Sequence, residues 1–272
     1  MEYVTVGRDE VPALGLGTWL LEGNDCRQAV IEALDLGYRH IDTAQAYDNE
    51  SEIGAALQTH TIDRDELWIT TKVANPNHAP SAVRRSTEES LRQLGTEHVD
   101  LLLVHWPVEF ESMPATLEAM LRLRDEGKAR YVGVSNFTPT QLELALELAP
   151  VAAIQVEYHL FLSQAELLGL VRKHDLMLTA YSPLARGRVQ RDGVLREIAE
   201  RHHKTPAQVA LRWLLDQERV TAIPKATSRE HLSANLAVFD FVLTDEERER
   251  INALARPGGR IIDPDWSPDW GA

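Results

Sequence analysis

The chain lacks several features that would tie it to particular environments or partners. Cys26 is the only cysteine among 272 residues, so no intrachain disulfide can form, and a reducing cytoplasm is the expected location. No apolar run approaches the ~18 residues that a transmembrane helix needs, and no basic-then-apolar leader opens the chain. We therefore expect no membrane partner.

Basic residues are also scarce. The net charge is −14, and only five of the 28 basic residues are lysines. Because nucleic-acid backbones are bound by basic patches, this balance argues against a nucleic-acid partner, and the acidity is better explained by solubility. Apolar residues make up 44% of the chain, which is enough for a full core.

Eight short apolar runs alternate with helical patterns along the chain. Most are near-continuous rather than alternating, as expected for parallel strands that are covered on both faces. The predicted strands are Ala13–Thr18, Tyr38–Asp42, Leu67–Lys72, Val99–His105, Ala129–Ser135, Ala153–Glu157, Leu176–Ser182 and Val220–Pro224.

Helix signals occupy the segments between these runs. An apolar stripe predicts a helix over Ser81–Leu94, and Gly95 is a natural stop. Thr205–Gln208 and Thr244–Glu247 read as capping boxes, each of which begins a further helix.

Eight strand–helix units at a spacing of roughly thirty residues predict a single (β/α)₈ TIM barrel over residues 1–272. Met1–Pro12 is predicted to form an N-terminal β-hairpin, and Arg256–Ala272 a tail near the barrel mouth. The rival fold, an open doubly wound sheet, would carry Gly-x-Gly-x-x-Gly after its first strand. The run from Gly15 to Leu20 lacks the third glycine.

Titratable residues stand where the second, third and fourth predicted strands end. Asp42, Lys72 and His105 occupy these ends, and Tyr47 follows Asp42 by five residues. Singly, Asp42 could cap a turn, Lys72 could lie along the surface and His105 could be a core histidine. Because catalytic residues of TIM barrels lie at the carboxyl ends of strands, the four together predict one proton-donating active site.

Seven motifs in order resemble the aldo-keto reductase family. They are Gly15-Leu-Gly-Thr-Trp19, Asp42-Thr-Ala-x-x-Tyr47, Thr71-Lys72, Leu103-Val-His105-Trp-Pro, Gly133-Val-Ser-Asn136, Tyr181-Ser-Pro-Leu184 and Ile223-Pro-Lys225, and they span about Val4 to Trp266. The resemblance implies reduction of a small carbonyl substrate.

In that resemblance the catalytic residues are Asp42, Tyr47, Lys72 and His105. Tyr47 would protonate the carbonyl oxygen as hydride arrives. A free phenol has a pKa near ~10, and the Lys72 ammonium, paired with Asp42, would lower it. His105 would orient the substrate oxygen, and a histidine there resembles the carbonyl reducers of the family rather than its double-bond reducers.

The resemblance also implies a nicotinamide cofactor site. Ser135, Asn136 and Gln155 would bond the nicotinamide amide and Tyr181 would stack on its ring. The other expected cofactor residues are Gly17, Thr18, Trp19 and Asp42 beside the ring, Ser182, Leu184 and Gly187 over the pyrophosphate, and Lys225, Ala226, Thr227, Ser228, Arg229, His231 and Asn235 around the 2′-phosphate.

One segment departs from the family pattern. His231 stands where the family usually has arginine, and Ala234 where it often has glutamate. Neutral histidine is a weaker phosphate ligand than an arginine fork. NADPH is the expected cofactor because Lys225 and Arg229 are present, and NADH stays open as an alternative.

The substrate pocket is expected to rest on Trp19, Trp106, Phe110 and the tail tryptophans Trp266 and Trp270, with Tyr47 and His105 at its polar end. An apolar pocket with one polar end suits small aldehydes, α-keto compounds or aromatic aldehydes. No metal is expected, because the ten histidines show no His-x-His or His-Glu-x-x-His spacing. Similar family members indicate a monomer.

Two other functions fit the same barrel. A Schiff-base lyase would use Lys72 or Lys225 and needs a buried lysine of lowered pKa, which pairing with Asp42 opposes. A binding-only nicotinamide protein would keep the fold without turnover, although such a protein has no need of a Lys72–Tyr47 pair.

Overall fold

The computed structural model describes residues 1–271 and contains an eight-stranded parallel sheet that closes into a barrel. Each strand pairs in parallel with the next one along the chain. The strands are β3 Leu16–Gly17, β4 His40–Asp42, β5 Trp68–Val73, β6 Val99–Val104, β7 Ala129–Ser135, β8 Ala153–Glu157, β9 Met177–Tyr181 and β10 Val220–Ala222. This confirms the predicted (β/α)₈ architecture.

The barrel closes where the first strand meets the last. Leu14 forms a parallel bridge with Ala222, and the amide of Gly15 donates to the carbonyl of Ala222 at 2.9 Å. Gly17 leaves no room for a side chain, because a Cβ there would lie 2.4 Å from the carbonyl oxygen of Ile223. A glycine is therefore required at this closure.

The helices pack around the barrel and leave its strands buried on both faces. Every residue of β5 and β6 is buried, which explains their near-continuous apolar sequence. The helices are α1 Gly23–Asp35, α2 Glu50–Leu57, α3 Pro80–Leu94, α4 Met113–Asp125, α5 Pro139–Leu148, α6 Ala165–Lys173, α7 Gly193–His202, α8 Pro206–Leu215, α9 Arg229–Leu236 and α10 Asp245–Asn252.

The predicted helix signals have their expected geometry. Gly95 ends α3 in the left-handed region at φ 66°. Thr205 and Thr244 each form a complete capping box at the start of α8 and α10. Within residues 1–271, no helix combines the length and apolar character that crossing a bilayer requires.

An antiparallel hairpin, β1 Tyr3–Val6 and β2 Asp9–Pro12, lies at the amino ends of the strands. The carbonyl of Pro12 contacts the ring Nδ1 of His40, the first residue of β4, at 3.0 Å. Residues 256–271 form neither helix nor strand and reach the opposite, carboxyl end of the barrel. Both terminal segments were predicted.

Candidate active site

The structure brings Asp42, Tyr47, Lys72 and His105 to one cavity at the carboxyl ends of the strands. Asp42 is the last residue of β4, Lys72 is the fifth residue of β5, and His105 directly follows β6. Tyr47 ends a 3₁₀ turn, Gln45–Tyr47, that leaves β4. Asp42, Tyr47 and His105 line the cavity directly.

The three protons of the buried Lys72 ammonium each have an acceptor. Nζ donates to Oδ1 of Asp42 at 2.5 Å, to the carbonyl of Thr43 at 2.7 Å and to the hydroxyl oxygen of Tyr47 at 3.3 Å. Because an ammonium has three donors and no acceptor, the Tyr47 oxygen accepts this bond. The phenolic hydrogen is therefore left to donate elsewhere.

The surroundings of Lys72 keep it charged. Burial alone would lower its pKa, but the charges and hydrogen bonds of Asp42 and Tyr47 act more strongly and raise the pKa above its usual value. A protonated ammonium is a poor nucleophile, so this environment opposes Schiff-base chemistry at Lys72.

The pKa of Tyr47 differs from the sequence-based expectation. Burial raises it above the usual value of a phenol, while the Lys72 charge acts in the lowering direction and does not outweigh burial. The cost of burying a phenolate depends on the tertiary surroundings, which the sequence does not display, whereas the nearby ammonium was expected from the motif. Tyr47 is accordingly a protonated phenol at neutral pH.

Two supporting side chains hold the turn that carries Tyr47. The Oε1 atom of Gln45 accepts from the amide of Ala74 and from the side chain of Asn77, both at 3.0 Å. Asn49 is fully buried, and its amide nitrogen donates to the carbonyls of Thr18 and Leu21 at 2.9 Å. Sequence reasoning missed both residues, although a polar residue two positions before and two positions after Tyr47 is the signal that they leave.

Asp42 joins the proton-donating group to the predicted nicotinamide site. Its Oδ1 pairs with Lys72, and its Oδ2 accepts from Nε2 of Gln155 at 2.6 Å. This bond orients the Gln155 amide. The carboxylate therefore fixes both the lysine and a residue of β8 on the far side of the barrel.

Asn136 connects three further predicted residues and has a left-handed backbone at φ 64°. Its side-chain nitrogen donates to the carbonyl of His105 at 2.9 Å and to Oγ of Ser135 at 3.0 Å. Its Oδ1 accepts from the hydroxyl of Tyr181 at 2.7 Å. The network gives the ring of Tyr181 a fixed position at the cavity.

His105 is neutral at physiological pH. Burial, followed by the charge of Lys72 and the proximity of His78, lowers its pKa to about 3. Its ring stands edge-on to that of Tyr47, with 5.7 Å between the centroids. A neutral imidazole beside a phenol can hydrogen-bond an uncharged carbonyl oxygen without adding charge to the site.

The cavity has a volume of about 690 Å³ and is largely apolar on its outer walls. Trp19 is 41% exposed at the rim, whereas Trp106 is buried beneath Trp266, with ring centroids 5.0 Å apart. The predicted residues that line the cavity are Gly17, Thr18, Trp19, Asp42, Tyr47, His105, Trp106, Ser135, Asn136, Gln155, Tyr181, Ser182 and Lys225.

The other predicted cofactor residues lie outside this cavity. Leu184 is half-buried against the core, Gly187 is exposed at φ 84°, and Ser228 caps the start of α9. The remaining residues of the proposed 2′-phosphate segment divide by exposure, with Ala226 and Asn235 buried and Thr227, Arg229 and His231 exposed. From that segment, Lys225 lines the cavity.

Several lining residues had no sequence signal. The tail supplies Ile261, Ile262, Asp263 and Pro264, and Arg186 lies with its guanidinium 5.2 Å from the ring centroid of Trp19. An irregular tail has no periodicity to show which of its residues face inward. Among residues 1–271, no group of three or more His, Cys, Asp or Glu side chains is arranged to hold a metal ion.

Comparison with known proteins gives one consistent result. Residues 13–256 match the Aldo/keto reductase family model. Methylglyoxal reductase DkgB of Escherichia coli O157:H7 is 37% identical over 266 residues, covering 96% of this chain and 99% of that protein. An aldo-keto reductase of Mycolicibacterium smegmatis is 38% identical over 260 residues, covering 94% of both chains.

Solved structures agree in fold over the full chain. A "putative 2,5-diketo-D-gluconic acid reductase B" has a TM-score of 0.97 and 45% identity, covering 100% of this chain and 98% of that one. MGS-M4, an aldo-keto reductase from a deep-sea metagenome library, has a TM-score of 0.93 and 35% identity, covering 97% and 98%.

Proposed function

The chain belongs to the aldo/keto reductase family, and we propose that it reduces aldehydes and ketones to alcohols with NAD(P)H, using Tyr47, Lys72, Asp42 and His105. The observation that supports the proposal most is the set of hydrogen bonds that the Lys72 ammonium donates to Asp42, Thr43 and Tyr47. When bound, the reduced nicotinamide supplies the hydride.

Tyr47 supplies the proton in this proposal. Its oxygen accepts from Lys72, so its own hydrogen is free to bond a carbonyl oxygen in the cavity. As that proton leaves, the phenolate is stabilised by an ammonium 3.3 Å away in a buried site, where such a charge pair is stronger than in water. Asp42 keeps the ammonium in place.

His105 orients the substrate in this proposal. Its pKa of about 3 makes it a neutral hydrogen-bond partner at pH 7, and its ring lies edge-on beside that of Tyr47 at the cavity. A carbonyl oxygen held between an imidazole and a phenol lies where a proton can be transferred. The apolar walls at Trp19 and Trp106 then hold the rest of the substrate.

The cofactor site is proposed at Ser135, Asn136, Gln155 and Tyr181. These residues line the cavity and are held by hydrogen bonds with one another or with Asp42, which suits a planar amide and ring. We propose a preference for NADPH, with its 2′-phosphate near Lys225, Arg229 and His231. Ser182, Leu184 and Gly187 are proposed to contact the pyrophosphate of the cofactor.

The substrate class is proposed to be small aldehydes, α-keto compounds and aromatic aldehydes. A relative named methylglyoxal reductase supports the α-keto members of this class. The test is loss of nicotinamide absorbance with NADPH, and separately NADH, against a three-carbon 2-oxoaldehyde, a diketone and an aromatic aldehyde. Turnover supports the proposal, and tight cofactor binding without turnover on any carbonyl favours the binding-only alternative.

A separate trapping experiment tests the lyase alternative. Borohydride with a carbonyl substrate and no nicotinamide would trap a covalent adduct on a Schiff-base lysine. Because Lys72 is held as an ammonium, we expect no adduct on it.

We further propose that the whole chain is one domain and acts as a monomer in the cytoplasm. A thermal transition with one cooperative step and a solution mass near 30.6 kDa would support the first two statements.

A further inference from the structure

Glu157, the last residue of β8, is a fully buried carboxylate that the proposed chemistry does not use. Its Oε1 accepts from the backbone amide of Ile261 at 2.7 Å, and its Oε2 accepts from the amide of Ile262 at 2.7 Å. These donors belong to the C-terminal tail, more than a hundred residues along the chain.

Neighbouring side chains fix the orientation of this carboxylate. The amide of Phe161 donates to Nδ1 of His159 at 3.3 Å, so Nε2 carries the ring proton and donates to Oε1 of Glu157 at 2.9 Å. Gln164 donates to the backbone carbonyl of Glu157 at 2.7 Å. Glu157 is thereby held by bonds that do not involve the tail.

The docked amides belong to a wall of the cavity. Ile261 and Ile262 line it, as do Asp263, Pro264 and Trp266. Since residues 256–271 form no helix or strand, the position of this wall depends on individual bonds to the barrel. Two of those bonds end on Glu157.

A second tail contact lies in the loop that follows β8. The amide of Arg256 donates to the carbonyl of Phe161 at 3.3 Å, and a Cβ added at Gly259 would lie 1.9 Å from that carbonyl oxygen. Gly259 therefore lets the tail backbone approach the barrel closely just before it reaches Glu157.

We propose that Glu157 is a positioning residue that sets the tail wall of the substrate pocket and so determines selectivity between bulky apolar and small carbonyl substrates. The proposal rests on the proposed reductase function. Gln155 and Glu157 are two residues apart on β8 and so face the same side, where one bonds Asp42 and the other bonds the tail.

The first variant is Glu157→Gln. It keeps the shape of the side chain but replaces one carboxylate oxygen with an NH₂ group, which cannot accept a hydrogen bond from a tail amide. We expect the KM for an aromatic aldehyde to rise about tenfold, because a tenfold change corresponds to the loss of roughly one charge-assisted hydrogen bond. For a three-carbon 2-oxoaldehyde, kcat and the NADPH Kd should stay within about twofold, since neither depends on a distant apolar wall.

A direct readout of the tail comes from limited trypsin digestion. The bond between Arg260 and Ile261 is protected when the Ile261 amide is held by Glu157, whereas Arg256 precedes a proline. We expect cleavage after Arg260 to be about tenfold faster in Glu157→Gln than in the wild type, because local release exposes this bond.

Gly259→Ala is an independent second variant, because its Cβ would displace the tail from Phe161. It should also raise the KM for the aromatic aldehyde, leave the values for the 2-oxoaldehyde nearly unchanged, and speed cleavage after Arg260. Gly169→Ala is the matched control, since a Cβ there meets nothing within 4 Å in α6. It should change neither.

The proposal is overturned if the folded Glu157→Gln and Gly259→Ala proteins keep the wild-type ratio of the KM values for the aromatic aldehyde and the 2-oxoaldehyde, and also the wild-type cleavage rate. It is also overturned if Glu157→Gln lowers kcat equally for all substrates with the tail still protected, because Glu157 would then act on the chemistry. A wild type that reduces no carbonyl would refute the proposed function, and the digestion would still show separately whether Glu157 holds the tail.

Discussion

The Nζ atom of Lys72 lies 3.3 Å from the hydroxyl oxygen of Tyr47, and its two other protons are bonded to Asp42 and Thr43. The ammonium therefore has no donor left for a substrate. The phenol oxygen accepts a hydrogen bond from Lys72, so the hydrogen of the phenol is free to donate. This arrangement supports the proposal that Tyr47 donates the proton and that Lys72 provides electrostatic support.

Removal of the ammonium should separate activity from stability. Lys72→Met leaves a buried carboxylate at Asp42 unpaired, which should cost about 3–5 kcal/mol of unfolding free energy. The double variant Lys72→Met/Asp42→Asn removes the uncompensated charge and should recover most of that loss. Urea unfolding of the two variants measures both effects.

Activity should not follow that recovery. Both variants should lose about 100-fold or more in kcat, because neither has a cation beside the Tyr47 phenol. A double variant that regains turnover together with stability would show that Lys72 has only a structural role.

The depressed pKa of His105 predicts a contribution to acid sensitivity. Its folded pKa is about 3 and that of an unfolded histidine is ~6.5, so the unfolded state binds more protons between these values. The stability that this group contributes is present above pH 6.5 and is lost as the pH falls toward 3. His105→Gln removes this titration.

Unfolding free energies at pH 6 and pH 4 test this prediction. The wild type should lose about 1.4 kcal/mol per pH unit more than His105→Gln over this range, the value for one proton. Equal slopes in the two proteins would mean that His105 titrates normally in the folded state.

Cofactor preference should respond to position 231. His231→Arg should lower the KM for NADPH about fivefold to tenfold and leave that for NADH unchanged, because an arginine fork binds phosphate more strongly than a neutral imidazole. His174→Arg, exposed at the end of α6, is the matched control for added charge. An unchanged NADPH KM in His231→Arg would place residue 231 away from the phosphate.

The contact between α2 and α3 depends on a missing side chain. A Cβ at Gly54 would lie 2.1 Å from the carbonyl oxygen of Gln93, which is backbone and cannot turn aside. Gly54→Ala should therefore lower the unfolding free energy by about 1–3 kcal/mol. Gly169→Ala, with open space around it, should change it by less than ~1 kcal/mol, in the stabilising direction. Equal effects of the two substitutions on the thermal midpoint would refute the close approach.

The barrel could be predicted from the sequence because its signals are local. Near-continuous apolar runs mark parallel strands, and every predicted strand end except Ala13 lies within two residues of the observed one. The first strand differs most: Leu16–Gly17 alone pair regularly with β4, although Ala13–Thr18 was predicted. Gly15 and His40 lie so close that this segment is shaped by tertiary contact rather than by its own pattern.

The site was predictable only in part. Asp42, Lys72 and His105 end three apolar strands, and a parallel barrel collects strand ends at one rim. The tail and Trp266 were expected at the barrel mouth, but the bonds of Ile261 and Ile262 to Glu157 could not be predicted, because these residues lie in an irregular segment with no periodicity. The pKa direction of Tyr47 also depends on burial, which a sequence does not display.

The most direct test of the account compares wild-type and Tyr47→Phe proteins in NADPH oxidation with an aromatic aldehyde, with NADPH binding measured beside it. We expect kcat to fall by about 100-fold or more while the Kd for NADPH changes by less than about twofold, because only the proton donor is removed. Turnover that survives the loss of the phenol would refute proton donation by Tyr47.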